Sequence, residues 1–273
     1  MDKSNFKFNN ENLEEFRSVI TNLCKISNTI KMKMTSDNLL LYSIDTAGEN
    51  SNVSQATALA VKSYSFPSQH FMKIKHYDDD DDDDEEDQTK GNIDWIIRNG
   101  TILNKKINFF TKDVDIKGVF NLRKVNGNSD VKYTRNVIMS DDKFKFSITG
   151  DEPHVIRDMS LDQLNTILDP VLSDISFSIP TKEFENARSA SNIEPEDIIT
   201  IHITNGKIYF KQSSWELLVG KIDYDGNKKI SFHKKYLKSI NPKVDEIHFS
   251  VFQTFLLYKE ANQKLMISYE QNF

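Results

Sequence analysis

One cysteine in 273 residues, Cys24, leaves no partner for an internal disulfide and no pair for a CxxC metal or redox motif. Nowhere do about 18 apolar residues follow one another, so neither a transmembrane helix nor a membrane partner is expected. The first residues, MDKSNFKFNNENLEEF, lack the apolar core of a signal peptide, so the chain is expected to stay in the cytoplasm. Catalytic signatures are missing too: no GxxxxGK[ST] loop, no GxGxxG after a strand, no HExxH, no GxSxG. The expectation is a protein that is not an enzyme and that holds no cofactor and no metal.

The charge needs a correction before it is used. The formal net charge is −6, but residues 78–87 are ten acids in a row, and without them the rest of the chain stands at +4. A like-charge run repels itself and buries no apolar surface, so 77–91 reads as a solvated loop. It lacks the spaced glycine and closing glutamate of an EF-hand loop.

What is present is a repeated unit. Helical periodicity marks 10–25, 101–112, 181–192 and 233–240, and each is followed by two strand-like segments: 29–34 with 38–44, 116–123 with 133–139, 198–204 with 207–212, and 246–252 with 255–260. Reuse of one unit builds a repeated surface. A length of 273 residues suits two domains, each with its own core.

The helices show which side is buried. In the first, Leu13, Phe16, Ile20, Leu23 and Cys24 share an apolar arc, with Arg17 and Lys25 on the polar side beside Glu11 and Glu14. In the second, Leu103, Ile107 and Phe110 oppose Lys105, Asn108 and Lys112. In the third, Phe184, Ala187 and Ser191 turn inward and Lys182, Ser189 and Asn192 outward, with Arg188 at the rim. In the fourth, Tyr236, Leu237 and Ile240 pack inward and leave Lys234, Lys235 and Lys238 on the outer arc. A charged outer face is the ordinary fate of a surface helix; the recurrence of basic faces points to phosphate binding.

The strands alternate as half-buried strands do: Ile199, Ile201 and Ile203 on one face, then Asn205-Gly206 as a hairpin turn. Each sheet has an apolar face that helices must cover, which gives an α+β fold of antiparallel sheets with helices on one side. Six histidines are scattered, and the carboxylates nearest to a two-metal arrangement are Asp45 and the Asp223, Asp225 pair of the IDYDG turn.

Several stretches, in order, resemble the DNA sliding clamps, in the form of proliferating cell nuclear antigen and tailed-phage processivity factors. NGTILNKKINFFTKDVDIKGVFNL (99–122) looks like the second helix and strand of a first clamp domain. VIRDMSLDQLNTILDPVLSDISFSIPTKEFENARSASNI (155–193) looks like the connector leading into a second domain. ITIHITNGKIYFKQSSWELLVGKIDYDGNKKISFHKKYLKSI (199–240) and the closing KLMISYEQNF look like the rest of it, with the ending and the IDYDG stretch nearest to phage clamps. The region 65–98 has no counterpart.

The resemblance implies two similar clamp domains, 1–150 and 174–273, joined by a connector over 151–173. It implies a homotrimeric ring around duplex DNA, with helices lining the hole and sheets outside, acting in viral or phage DNA replication. Arg17, Lys25, Lys105, Lys112, Lys182, Arg188, Lys234, Lys235 and Lys238 would face phosphates without reading bases. Partner peptides, from DNA polymerase above all, would dock at Leu164, Ile167 and Leu168 of the connector with Phe255, Tyr269 and Phe273, and a clamp loader would open the ring. If the source is a phage, the compartment is the host cytoplasm. Two other readings stay open: a metal-dependent nucleic-acid enzyme using the acidic residues, and a virion or scaffold protein.

Overall fold

The computed structural model describes residues 3–8, 10–34, 38–46, 58–67, 70, 75–77, 93–111, 114–125, 129–150 and 159–269. The acidic run 78–87, Lys112 and Phe273 lie outside the described residues. The chain divides into two compact units, Met1–Ser43 with Ser63–Asp158, and Ile44–Lys62 with Met159–Phe273.

The first unit carries β1 (Lys3–Phe8), α1 (Asn10–Cys24), β2 (Ile30–Met34), β3 (Asn38–Thr46), β4 (Ala58–Pro67), β5 (Lys75–Tyr77), β6 (Ile93–Ile97), α2 (Gly100–Ile107), β7 (Val114–Val125), β8 (Ser129–Ser140) and β9 (Lys145–Thr149); the division passes through β3 and β4. Its strands run β3–β2–β6–β8–β7–β1–β5, with β9 on β8. Neighbours are antiparallel except β6 and β8, which pair in parallel at Ile93–Lys132 and Asp94–Tyr133.

Helix α1 forms because Leu13, Phe16, Ile20 and Leu23 recur at helical spacing, and all four are buried with Leu103, Ile107 and Phe110 against Leu41, Trp95 and Val137. Each such side chain contributes about 1.5–3 kcal/mol by leaving water. Cys24 packs at the rim of this core, and burial pushes its thiol up to about 11, so it stays protonated and unreactive. The start of α2 is fixed by Asn99, whose side chain accepts from Ile102 N, and by Gly100, where a Cβ would come within 2.8 Å of Ile30 Cδ1.

The second unit carries α3 (Leu161–Leu168), β10 (Ile175–Pro180), α4 (Thr181–Ile193), β11 (Ile198–Thr204), β12 (Lys207–Gln212), β13 (Trp215–Lys221), β14 (Asn227–His233), a 3-10 helix (Lys234–Ser239), β15 (Glu246–Val251), β16 (Phe255–Glu260) and β17 (Gln263–Ser268). One antiparallel sheet runs β10–β15–β16–β17 and a second runs β13–β12–β11–β14. Ile199, Ile201 and Ile203 of β11 are fully buried while Thr200 and His202 are not. The β11–β12 turn has positive φ at Asn205 (48°) and Gly206 (70°), the backbone that a two-residue hairpin of the I′ type requires. Helix α4 covers β10, β12, β13 and β15 through Phe184, Ala187 and Ser191. The expected α+β arrangement is therefore present.

Two helices differ from the sequence expectation. The second ends at Ile107, short of Lys112, where Phe109 N donates to Lys106 O and Phe110 N to Ile107 O, tightening the chain into i+3 turns. The fourth is a six-residue 3-10 helix. So short a segment between two strands does not recover the cost of nucleating an α-helix, although it still buries Tyr236, Leu237 and Ile240 as its pattern requires.

Candidate nucleic-acid interface

The helices place the candidate cations in two groups. Arg17, Arg188 and Lys234 are held by the protein itself, each on a carbonyl at a helix end. Arg17 Nε donates to Ile107 O, the last residue of α2, at 3.2 Å. Arg188 Nη1 donates to Ile240 O, which caps the 3-10 helix, at 3.0 Å; its other nitrogen pairs with Glu185 and its guanidinium lies 6.0 Å from the centre of the Phe184 ring. Lys234 Nζ donates to Glu194 O, the C-cap of α4, at 2.5 Å. Helix C-termini leave carbonyls without partners and carry the negative end of the dipole, so a nearby cation is drawn in.

Lys234 is thus a correction: expected on the outer arc, it is only 9% exposed. Lys235 is also engaged, with Nζ 2.5 Å from Asp45 Oδ2 and 5.1 Å from the Tyr236 ring centre. Tyr236 donates to the same Asp45 oxygen at 2.7 Å. Burial, then Asp45, raises the Tyr236 pKa far above its ordinary value. Asp45 is therefore spent on a tether, while Asp223 and Asp225 are exposed in their turn. Among the described residues no three His, Cys, Asp or Glu side chains come together as a metal-ligand group.

The second group is exposed: Lys25 and Lys105 in the first unit, Lys182 and Lys238 in the second. Lys25 Nζ rests on Asn22 Oδ1 at 3.0 Å, still in water. Around them most exposed helix positions are short and polar, Ser18, Thr21 and Thr101 in the first unit and Asn186, Ser189 and Asn192 in the second, while Ile102 of α2 and Ile193 at the end of α4 are exposed and apolar. Among the described residues of α1, α2, α4 and the 3-10 helix Glu14 is the one exposed acid; in α3 Asp162 is exposed too. In the first unit α1 and α2 pack together, with Thr21 Oγ1 donating to Asn104 Oδ1 at 3.0 Å, so their exposed faces adjoin. Such a surface offers charge and hydrogen-bond donors to phosphates and little that distinguishes bases.

The apolar candidates are mostly consumed. Leu164, Ile167 and Leu168 are buried on the inner side of α3, whose start is a capping box between Ser160 and Gln163. Phe255 is half-buried and stacks on Phe252 with ring centres 4.5 Å apart. Tyr269 is buried and donates to Phe252 O, and burial, with Asp174 adding to it, pushes its hydroxyl up to about 12. What sequence reasoning missed lies just beyond α3: Val171 is 94% and Leu172 84% exposed. They follow a helix anchored by Asp169, which Lys259 (2.8 Å) and Lys264 (3.2 Å) hold, in that order, below the usual carboxylate range. Two apolar residues after Pro170, outside any period, were the available signal.

No protein-family model matches the sequence, and no curated protein is significantly similar to it. Solved structures match along nearly the whole chain. The Helicobacter pylori β clamp bound to a DNA ligase peptide is similar at TM-score 0.63 and 11% identity, over 99% of this chain and 66% of that one, so the chain spans about two thirds of that clamp's length. Proliferating cell nuclear antigen from Thermococcus kodakaraensis gives 0.59 and 13% over 98% and 100% of the two chains. The Entamoeba histolytica protein of the same name gives 0.60 and 18% over 99% and 100%. With two units that each set a helix pair on antiparallel sheets, the chain has the fold of the DNA sliding clamps.

Proposed function

We propose that the chain is a sliding clamp: a non-enzymatic processivity factor that encircles duplex DNA and tethers a replicative polymerase to its template. The observation that carries this is the exposed side of α1, α2, α4 and the 3-10 helix, where Lys25, Lys105, Lys182 and Lys238 stand mostly among Ser, Thr and Asn side chains, with Glu14 the one exposed acid among the described residues of those helices. A surface of that kind attracts phosphates at any sequence. Both units carry it, as a ring of repeated domains needs.

In this reading copies join head to tail, three closing a ring, and a loader opens it to admit DNA. The likeness of 199–240 and its IDYDG turn to phage clamps favours a viral or phage replication system. Val171 and Leu172 replace the buried connector leucines as the apolar anchors of a partner-peptide surface, with the half-buried Phe255 beside them in role. A clamp structure that matches this chain was solved with a peptide of DNA ligase, which supports a peptide-docking surface of this sort here.

The test is retention on DNA. The protein loaded on closed circular duplex should stay bound and be released once the circle is cut, because topology rather than affinity holds it. Reversing Lys105, Lys182 and Lys238 to Glu should weaken loading and sliding while the assembled mass is unchanged. Equal release from circles and from cut DNA would sink the clamp reading.

A further inference from the structure

In the second unit helix α4 packs on β12 and β13, with Phe184 against Phe210, and the opposite face of that four-stranded sheet is half-buried to exposed. Strand register arranges the open face in rows. One row is Leu218, Tyr209, His202 and Lys229, each opposite the next on β13, β12, β11 and β14. The row beside it is Lys221, Lys207, Thr204 and Asn227. These two rows hold three lysines, a tyrosine and an imidazole, and no acid. On the far side of the tyrosine row Glu216 lies 3.9 Å from Lys211 Nζ, and beyond the lysine row Asp223 and Asp225 stand exposed in the β13–β14 turn.

Lys207 and Lys221 are directly opposite each other, an arrangement that costs stability because like charges repel across a strand pair. Neither they nor Lys229 makes an ion pair among the described residues, and all three are exposed. The Tyr209 ring stacks on no other ring among the described residues. Beside it the His202 imidazole is held by Nε2, which donates to Asn227 Oδ1 at 2.9 Å. Neighbouring strands lie about 4.8 Å apart and a step of two residues is about 7 Å, so two flat rings stand side by side with ammonium groups one step away.

From this face we propose that the second unit binds single-stranded DNA, with bases stacked on Tyr209 and His202 and phosphates held by Lys207, Lys221 and Lys229. Every base has a π-face, so aromatic rings beside a line of cations take up a strand whatever its sequence. A duplex keeps its bases inside and offers the rings nothing. An acidic peptide would answer the lysines and leave the rings idle. The face lies across the sheet from α4, so a strand held there leaves the exposed lysine of that helix, Lys182, accessible. The strand is DNA because the fold is that of the DNA clamps; that choice alone rests on the clamp reading.

Fluorescence anisotropy of the full chain with a labelled oligothymidine of about ten nucleotides tests it. Tyr209→Val should weaken binding about tenfold, the loss of one stacked base. Lys207→Gln with Lys229→Gln should lower the slope of log affinity against log salt by about 1.4, the share of two phosphates on a single strand. Excess duplex should not displace the oligonucleotide, and both variants should stay on closed circular duplex as the wild type does. An oligonucleotide carrying 5-iodouracil should cross-link to Tyr209 or His202 on irradiation of the wild type, a readout that needs no variant to fold. No binding, displacement by duplex, cross-links confined to the helices, or binding that needs the lysines and ignores Tyr209, the mark of an acidic peptide, each overturns the proposal. Tighter binding of the matching oligouridine overturns the choice of DNA. The clamp reading stands or falls separately, on release from cut circles.

Discussion

Arg17 is the eighth residue of α1 and Arg188 the eighth of α4, and each donates to the carbonyl that ends the partner helix of its unit. The same joint thus appears twice in one chain. A charged donor on such a carbonyl contributes about 1.5–3 kcal/mol. Replacing Arg188 with Met keeps most of the stem and removes the donors, so the melting temperature should fall while DNA retention, measured well below it, is unchanged. Lost retention with unchanged melting would instead put Arg188 on the DNA. A helical wheel tells which side of a helix a cation occupies. Whether a helix end lies within its reach depends on a partner 40 to 90 residues away, and for that reason Lys234 reads as outward in the sequence and the carbonyls that hold Arg17 and Arg188 do not show there.

At the scale of elements, the periodic residues were legible and the aperiodic ones were not. Apolar spacing fixed the buried sides of α1, α2 and α4 residue by residue, because burial is what that spacing encodes. By the same logic Leu164, Ile167 and Leu168 had to be core once they fell in α3. The pair after Pro170 obeys no period, and its exposure follows from the sharp exit after Asp169. Val171→Asp with Leu172→Asp should abolish binding of a polymerase-derived peptide and leave melting unaltered, whereas Leu164→Ala should cost about 2–5 kcal/mol of stability. Calorimetry of peptide binding alongside thermal melts separates the two. The 3-10 segment is the converse case: its inward residues were readable, its length was too short to make the helix that the pattern named.

Across the whole molecule, the order of elements and the basic remainder behind a net charge of −6 were readable from composition and pattern. The places of β9 and β13 at the ends of the described sheets were not, since strand neighbours in a sheet are set by contacts far apart in sequence. One property of the whole follows from two tyrosines. Tyr269 is pushed up to about 12 and Tyr236 is raised as well, both by burial first. Unfolded tyrosines lose their protons near pH 10, the folded ones later, so between about pH 10 and 12 the unfolded state binds fewer protons and stability falls as pH rises. Melting temperatures followed from pH 8 to 11.5 should drop steeply above pH 10, and Tyr236→Phe with Tyr269→Phe should flatten that drop. A profile already flat in the wild type would contradict it.

With the arginines of α1 and α4 committed to carbonyls, the exposed cations of the described helices are lysines. A guanidinium grips a phosphate with two parallel bonds in a fixed plane, while an ammonium is a compact charge that keeps its water and swings on a four-carbon stem. A duplex passing such a surface would meet hydrated point charges instead of fixed forks. In the clamp proposed above, the energy along the duplex axis would then vary little from one phosphate to the next, and the helix faces would act as a wet bearing, with friction set by solvent rather than by bonds broken at each step.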